Sequence, residues 1–258
     1  MARATKARFR WLLFVIFLQY LLTACVSTLP PASQLPDQGD HNQPPPGEDG
    51  TLRIAISWPS DNGWMSCRDS GCTLYLDPAV PNIWFGGSRD DYDSEAVFRW
   101  QNVKIPPGST VEEAWIEMTH LPGESTVNQK PVKVVIRGFA RENLPPFTKD
   151  LNLKDTTVWP RTGAAVEWSI NEPWPWVEPT KVITPDIAPI IQEIIDLQGQ
   201  NGWRSGNSLG IIFETPEDVP SDRYNRQICK AHEVINPNTD LCKDPDTAPV
   251  LYVKLARP

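Results

Sequence analysis

Between residues 51 and 258 the apolar residues come in seven short, mostly alternating runs. They are Leu52-x-Ile54-x-Ile56, Ala96–Trp100, Ala114–Met118, Val132–Phe139, Val166–Ile170, Leu209–Glu214 and Val250–Leu255. Side chains in a strand point alternately to the two faces of a sheet, so this period specifies half-buried β-strands. Turn signals separate the runs: Pro106-Pro107-Gly108, Leu121-Pro122-Gly123, Pro145-Pro146 and Arg161-Thr162-Gly163. Many short strands with Pro/Gly turns predict an all-β sandwich or barrel. About 208 residues suffice for one such domain.

One segment departs from the pattern. Ile187, Ile190, Ile191, Ile194 and Ile195 recur at helical spacing. Asp186 is a suitable N-cap, Pro189 falls in the first turn, and Gly199 and Gly202 mark the end. The reading is a single amphipathic helix of about three turns, laid across the end or edge of a sheet.

The N-terminus is a different kind of sequence. Arg3, Lys6, Arg8 and Arg10 precede an uncharged run from Trp11 to Leu18, and Leu22-Thr23-Ala24-Cys25 closes it. The run is shorter than the roughly 20 apolar residues a membrane-spanning helix needs. A basic start, a short apolar core and small residues before a cleavage point read as a secretory signal. With Cys25 in place the pattern resembles the lipobox of bacterial lipoproteins. That resemblance implies removal of residues 1–24 and acylation of Cys25, leaving the protein membrane-anchored at the cell surface or periplasmic face. Val26 rather than Asp follows Cys25; by the same resemblance this permits outer-membrane sorting in an organism that has one. Residues 25–50 then form the lipidated cysteine and a stalk with six prolines, at most about 75 Å long when extended. The β-sandwich domain occupies residues 51–258.

Charge narrows the partners. The formal net charge is −8, and loss of the four basic signal residues takes it to −12. Nucleic acid is excluded, since its binding depends on Lys and Arg neutralising phosphates. The membrane contact is lipid rather than charge.

Four cysteines remain: Cys67, Cys72, Cys229 and Cys242. In an exported chain they read as two disulfides, with three pairings open. Cys67–Cys72 and Cys229–Cys242 are favoured because each pair sits in a polar, loop-like stretch. Gaps of four and twelve residues do not match the paired-cysteine hooks of zinc sites.

Three stretches resemble a known family when taken in order: FRWQNVKIPPGSTVEEAWIEM (98–118), TPDIAPIIQEIIDLQGQNGWRSGNSLGIIFE (184–214) and APVLYVKL (248–255). They are similar to the disaggregatase-related, DNRLRE-type modules and to jelly-roll carbohydrate-binding modules. The resemblance covers most of residues 97–255. It implies a jelly-roll β-sandwich and binding to a polysaccharide or cell-envelope polymer. Residues 61–95 and 224–247, each holding a cysteine pair, look like insertions.

Ten tryptophans remain after the signal. Sugar rings present apolar C–H faces that stack on aromatic rings, and indole adds an N–H donor. Trp100, Trp115 and Trp168 fall in strand patterns and are expected in the core, with Trp58 beside them and Trp203 against the helix. Trp64, Trp84, Trp159, Trp174 and Trp176 are left. Glu172-Pro173-Trp174-Pro175-Trp176 reads as a stiff loop with two open rings. Trp174, Trp176 and Trp64 are therefore the candidate ligand-binding residues. Arg89–Glu95 carries four carboxylates in seven residues. Asp90, Asp91 and Asp93 are candidate ligands for a structural calcium, which takes six to eight oxygens. Asp61-Asn62-Gly63 is a weaker candidate that also suits a turn.

The sequence carries no catalytic motif. His41 lies in the stalk, His120 ends a strand and His232 sits in the second cysteine-bounded loop. No zinc-protease, nucleophile-elbow, phosphate-loop or dinucleotide signature occurs. The expectation is a non-catalytic binding module. Its alternatives are a structural or adhesive protein with a protein partner, or a polysaccharide-acting hydrolase.

Overall fold

All seven alternating runs are strands. The computed structural model describes residues 47, 49–68, 71–77, 80, 82–89, 92–121, 130–174, 179–198, 202–216, 225–230, 242 and 245–257. Within these, β1 is Thr51–Ala55, β2 Asn62–Arg68, β3 Gly71–Tyr75, β4 Asn82–Phe85, β5 Gly87–Arg89, β6 Tyr92–Trp100 and β7 Val111–Thr119. Then come β8 Val132–Phe139, β9 Arg161–Ile170, β10 Lys181–Ile183, helix α1 Ala188–Ile195, β11 Leu209–Glu214, β12 Arg226–Cys229 and β13 Val250–Leu255. Cys25 and the stalk to residue 46 lie outside the described residues.

Eight of these strands carry the sandwich. One sheet has the order β1-β13-β7-β10 and the other contains β6-β11-β8-β9. Numbered one to eight along the chain, those orders are 1-8-3-6 and 2-7-4-5, with every neighbour antiparallel. Two such interleaved Greek keys make a jelly roll. The inward residues interlock between the sheets: Leu52 and Ile54 of β1, Ala114, Ile116 and Met118 of β7, and Leu251 and Val253 of β13 on one side. Phe98 and Trp100 of β6, Ile211 and Phe213 of β11, and Val134 and Ile136 of β8 meet them from the other. Burying each large apolar side chain contributes about 1.5–3 kcal/mol.

The two segments that look like insertions pair with each other. The β2–β3 hairpin widens the second sheet beyond β6, and β5 pairs with the start of β6. β4, from the first insertion, pairs with β12, from the second, in the register Ile83↔Ile228 and Phe85↔Arg226. An antiparallel bridge between His120 and Ile228 then joins β12 to the end of β7. Cys67 faces Cys72 across the hairpin with Cα atoms 4.0 Å apart. Cys229 and Cys242 lie 5.4 Å apart by the same measure. Both pairs are at disulfide distance, in the local pairing that their sequence context favours.

Helix α1 is eight residues long, shorter than three turns, and Ile187 rather than Asp186 occupies the N-cap. Asp186 serves two elements at once: its carboxylate accepts the N–H of Ala188 and that of Ala114 on β7, both at 2.9 Å. Thr184 Oγ1 accepts from Ile116 N–H, and Gln192 Oε1 from Val111 N–H at 2.8 Å. On the second sheet Glu193 accepts from Gly163 and Ala164 N–H at 2.7 Å. The helix segment thus satisfies strand-edge donors that would otherwise be open to pairing with another chain. Its isoleucines pack closely on β8. A Cβ at Gly138 would stand 2.7 Å from Ile194 Cδ1.

Much of the outer face of the second sheet is covered, over β2, β6, β11 and the end of β8, while the outer side of β9 stays exposed. Residues 140–160 cross it as a strap whose Leu144, Phe147, Leu153 and Trp159 bury Met65, Val97, Phe139 and Ile212. Charged side chains of the sheet hold the strap down. Arg99 donates to Leu144 O at 2.8 Å, and Arg161 to Leu153 O and Trp159 O at 2.6 Å. Lys154 reaches in from the strap to pair with Glu95, which is fully buried. Burial pushes the Glu95 carboxyl above its ordinary range, against the pull of Lys154.

A candidate ligand-binding face

The strap crosses one sheet, and the outer face of β1-β13-β7-β10 carries half-buried and exposed side chains along β1, β7 and β10. Its centre is aromatic. Trp115 of β7 and Tyr252 of β13 are register partners. Their rings are parallel within 8° with centroids 5.2 Å apart, an offset-stacked arrangement. Both are half-buried, while their neighbours Ala114, Ile116, Leu251 and Val253 are sealed in the core. Trp115 therefore corrects the expectation that it belongs to the core. Its phase was legible: it alternates with Glu113 and Glu117, and Tyr252 with Lys254, so these aromatics share the side of the strand that carries charge.

Salt bridges flank the pair. Lys254 lies 3.4 Å from Glu112 and 3.7 Å from Glu113. Lys181 lies 3.3 Å from Glu117. Arg53, the register partner of Tyr252 on β1, lies 3.8 Å from Asp246. Ile183, opposite Glu117 on β10, is 59% exposed and extends the apolar surface.

The loop aromatics behave differently from the sequence expectation. Trp174 is not an open ring: it is 7% exposed and belongs to the main core. It packs edge-on against Phe85 at 6.2 Å and His120 at 5.7 Å, with the Arg226 guanidinium 5.2 Å above it. Arg226 explains the inward turn. It is fully buried and donates to the carbonyls of Lys130, Ile170 and Glu172, pulling the start of the loop onto β12. Burial lowers its pKa to about 10. Trp176 lies outside the described residues. Trp64 is half-buried at the edge of the second sheet, stacked on Tyr75 with centroids 4.3 Å apart; Tyr75 is 38% exposed. Trp159 is buried under the strap and Trp203 donates its indole N–H to Ile105 O.

The acidic segment is only partly described. Asp93 stands exposed on β6, opposite Cys67, while Asp90 and Asp91 lie outside the described residues. Among the described residues no three His, Cys, Asp or Glu side chains gather to hold a metal. Asp61 is not part of an exposed turn. It is buried, ion-paired with Arg99 at 2.6 Å and hydrogen-bonded by Gln101. Arg99 also donates to Ser208 Oγ at 3.1 Å.

No protein-family model matches the chain, and no curated protein matches it by sequence.

Proposed function

We propose that this chain is a surface-anchored lipoprotein whose jelly-roll domain is a non-catalytic module for binding carbohydrate or cell-envelope polymer. The ligand surface is the outer face of the β1-β13-β7-β10 sheet. The observation that carries the reading is the half-exposed Trp115–Tyr252 pair at the centre of that face, bordered by donors and acceptors. Pyranose rings need such a surface: an aromatic plane for the C–H face and polar groups at its rim for the hydroxyls. The likeness of residues 98–118, 184–214 and 248–255 to the DNRLRE-type and carbohydrate-binding modules supports it. The anchor is Cys25, and the stalk of residues 26–50 sets the domain off from the membrane.

Two measurements test it. A glycan array probed with the full chain in detergent is expected to give binding that falls at least about tenfold in Trp115→Ala/Tyr252→Ala, as loss of aromatic anchors does at other binding sites. A double variant that stays folded and binds as the parent refutes the face. Cys25→Ser is expected to move the protein from the membrane to the soluble fraction; an unchanged membrane fraction refutes the anchor.

A further inference from the structure

We infer that the polymer bound on this face is electrically neutral, a pyranose chain carrying hydroxyls rather than carboxylates or phosphates. The inference rests on the reading of the face as a carbohydrate site, and it comes from the charges that border the aromatic pair.

The three cations beside Trp115 and Tyr252 already have carboxylate partners: Lys254 with Glu112 and Glu113, Lys181 with Glu117, Arg53 with Asp246. Among the described residues, these pairs set four carboxylates against three cations. An anionic sugar would compete with a carboxylate for each of these cations. Meanwhile Glu113 and Glu117, each two residues from Trp115 on the same strand and so about 7 Å away, offset Lys254 and Lys181 and leave little net attraction for a further anion. The chain as a whole repels it, at −8 before signal removal.

A neutral sugar meets no such barrier. Each bordering pair offers acceptor oxygens and an ammonium or guanidinium donor 3.3–3.8 Å apart, and a sugar hydroxyl both donates and accepts. Two neighbouring hydroxyls can therefore take the carboxylate and the cation of one pair together without breaking it. The pairs sit at both ends of the aromatic centre, Lys254–Glu113 towards one end of β7 and Lys181–Glu117 towards the other. The pattern of polar end, aromatic centre and polar end matches a ring stacked by its face and held by its rim.

The test compares one polymer backbone in two charge states. The full chain, purified in detergent, is assayed for retention on fully methyl-esterified polygalacturonate and on the same polymer de-esterified, with neutral mannan, β-glucan and xylan alongside. The expected result is retention on neutral polymers, changed less than about twofold between 50 and 500 mM salt, and at least about tenfold weaker on de-esterified polygalacturonate. Glu113→Gln/Glu117→Gln, at positions outside the core, is expected to weaken neutral-polymer retention several-fold while leaving the melting curve in place. Retention on the acidic polymer that Trp115→Ala abolishes, with none on neutral polymers, overturns the neutral-ligand inference and leaves the face intact. Neutral retention that the double glutamine variant does not alter overturns the assignment of the sugar hydroxyls to the bordering ion pairs. No retention on any polymer, or retention indifferent to both Trp115→Ala and Trp115→Phe in folded protein, sinks the carbohydrate reading itself and this inference with it.

Discussion

Arg99→Ala is expected to destabilise the domain by about 3–5 kcal/mol, the cost of leaving one member of a buried ion pair without its partner. Asp61 and Arg99 are both nearly inaccessible and sit 2.6 Å apart. Arg99 does more than neutralise Asp61. Its Nε–H holds Leu144 O of the strap and one terminal amino group holds Ser208 Oγ. The substitution therefore strands a carboxylate, a carbonyl and a hydroxyl together. Urea unfolding at neutral pH measures this, and a loss below about 1 kcal/mol would show that the pair is structurally idle. The double replacement Asp61→Leu/Arg99→Met is expected to recover much of the loss, because two apolar side chains of similar volume leave no buried charge.

Trp100→Ala is expected to cost a further large amount, about 3–5 kcal/mol, through the cavity left by a wholly buried indole. Trp100 ends β6, has no exposed surface and lies parallel to Phe98 within 25° at 5.9 Å. Its indole N–H is buried without an acceptor among the described residues. Trp100→Phe keeps a ring in the same place and removes that stranded donor, so it is expected to cost less than about 2 kcal/mol. Equal losses in the two variants by thermal or urea unfolding would refute the packing account, which assigns the stability to ring volume rather than to the N–H.

Disruption of the first sheet's outer face has a different profile. Trp115 and Tyr252 stand half out of the core, and a cross-strand aromatic pair contributes only about 0.2–1 kcal/mol relative to alanines. Their replacement by alanine is therefore expected to change ligand binding far more than folding, whereas Trp100 and Arg99 do the reverse. That separation keeps a loss of binding interpretable.

How far the amino-acid sequence reaches is visible in individual residues. Ala114-Trp115-Ile116-Glu117-Met118 states both that β7 is a strand and which side of it carries charge, because successive side chains point to opposite faces. The platform at Trp115 was thus legible, and assigning it to the core overlooked the phase it shares with Glu117. β2, β3, β4 and β12 were not legible as strands. Asn62–Arg68 and Arg226–Cys229 have no apolar alternation, and what holds them is pairing with chain far away: β2 on β6, and β4 on β12 across more than a hundred residues. The helix was visible from its isoleucines, yet it ends at Ile195 with Asp196 as C-cap, short of the glycines that mark its end in the sequence.

By itself, then, the sequence determined the period-two strands, the isoleucine-rich helix and the local partners of the four cysteines. Each of these depends on residues close together in the chain. Only the tertiary structure decided that two separate insertions zip into one ribbon, that Arg226 draws Trp174 out of solvent, and that a strap covers Met65, Val97 and Ile212 of one sheet. These outcomes depend on which distant surfaces meet. Burial and exposure belong to the packed pair rather than to either segment alone.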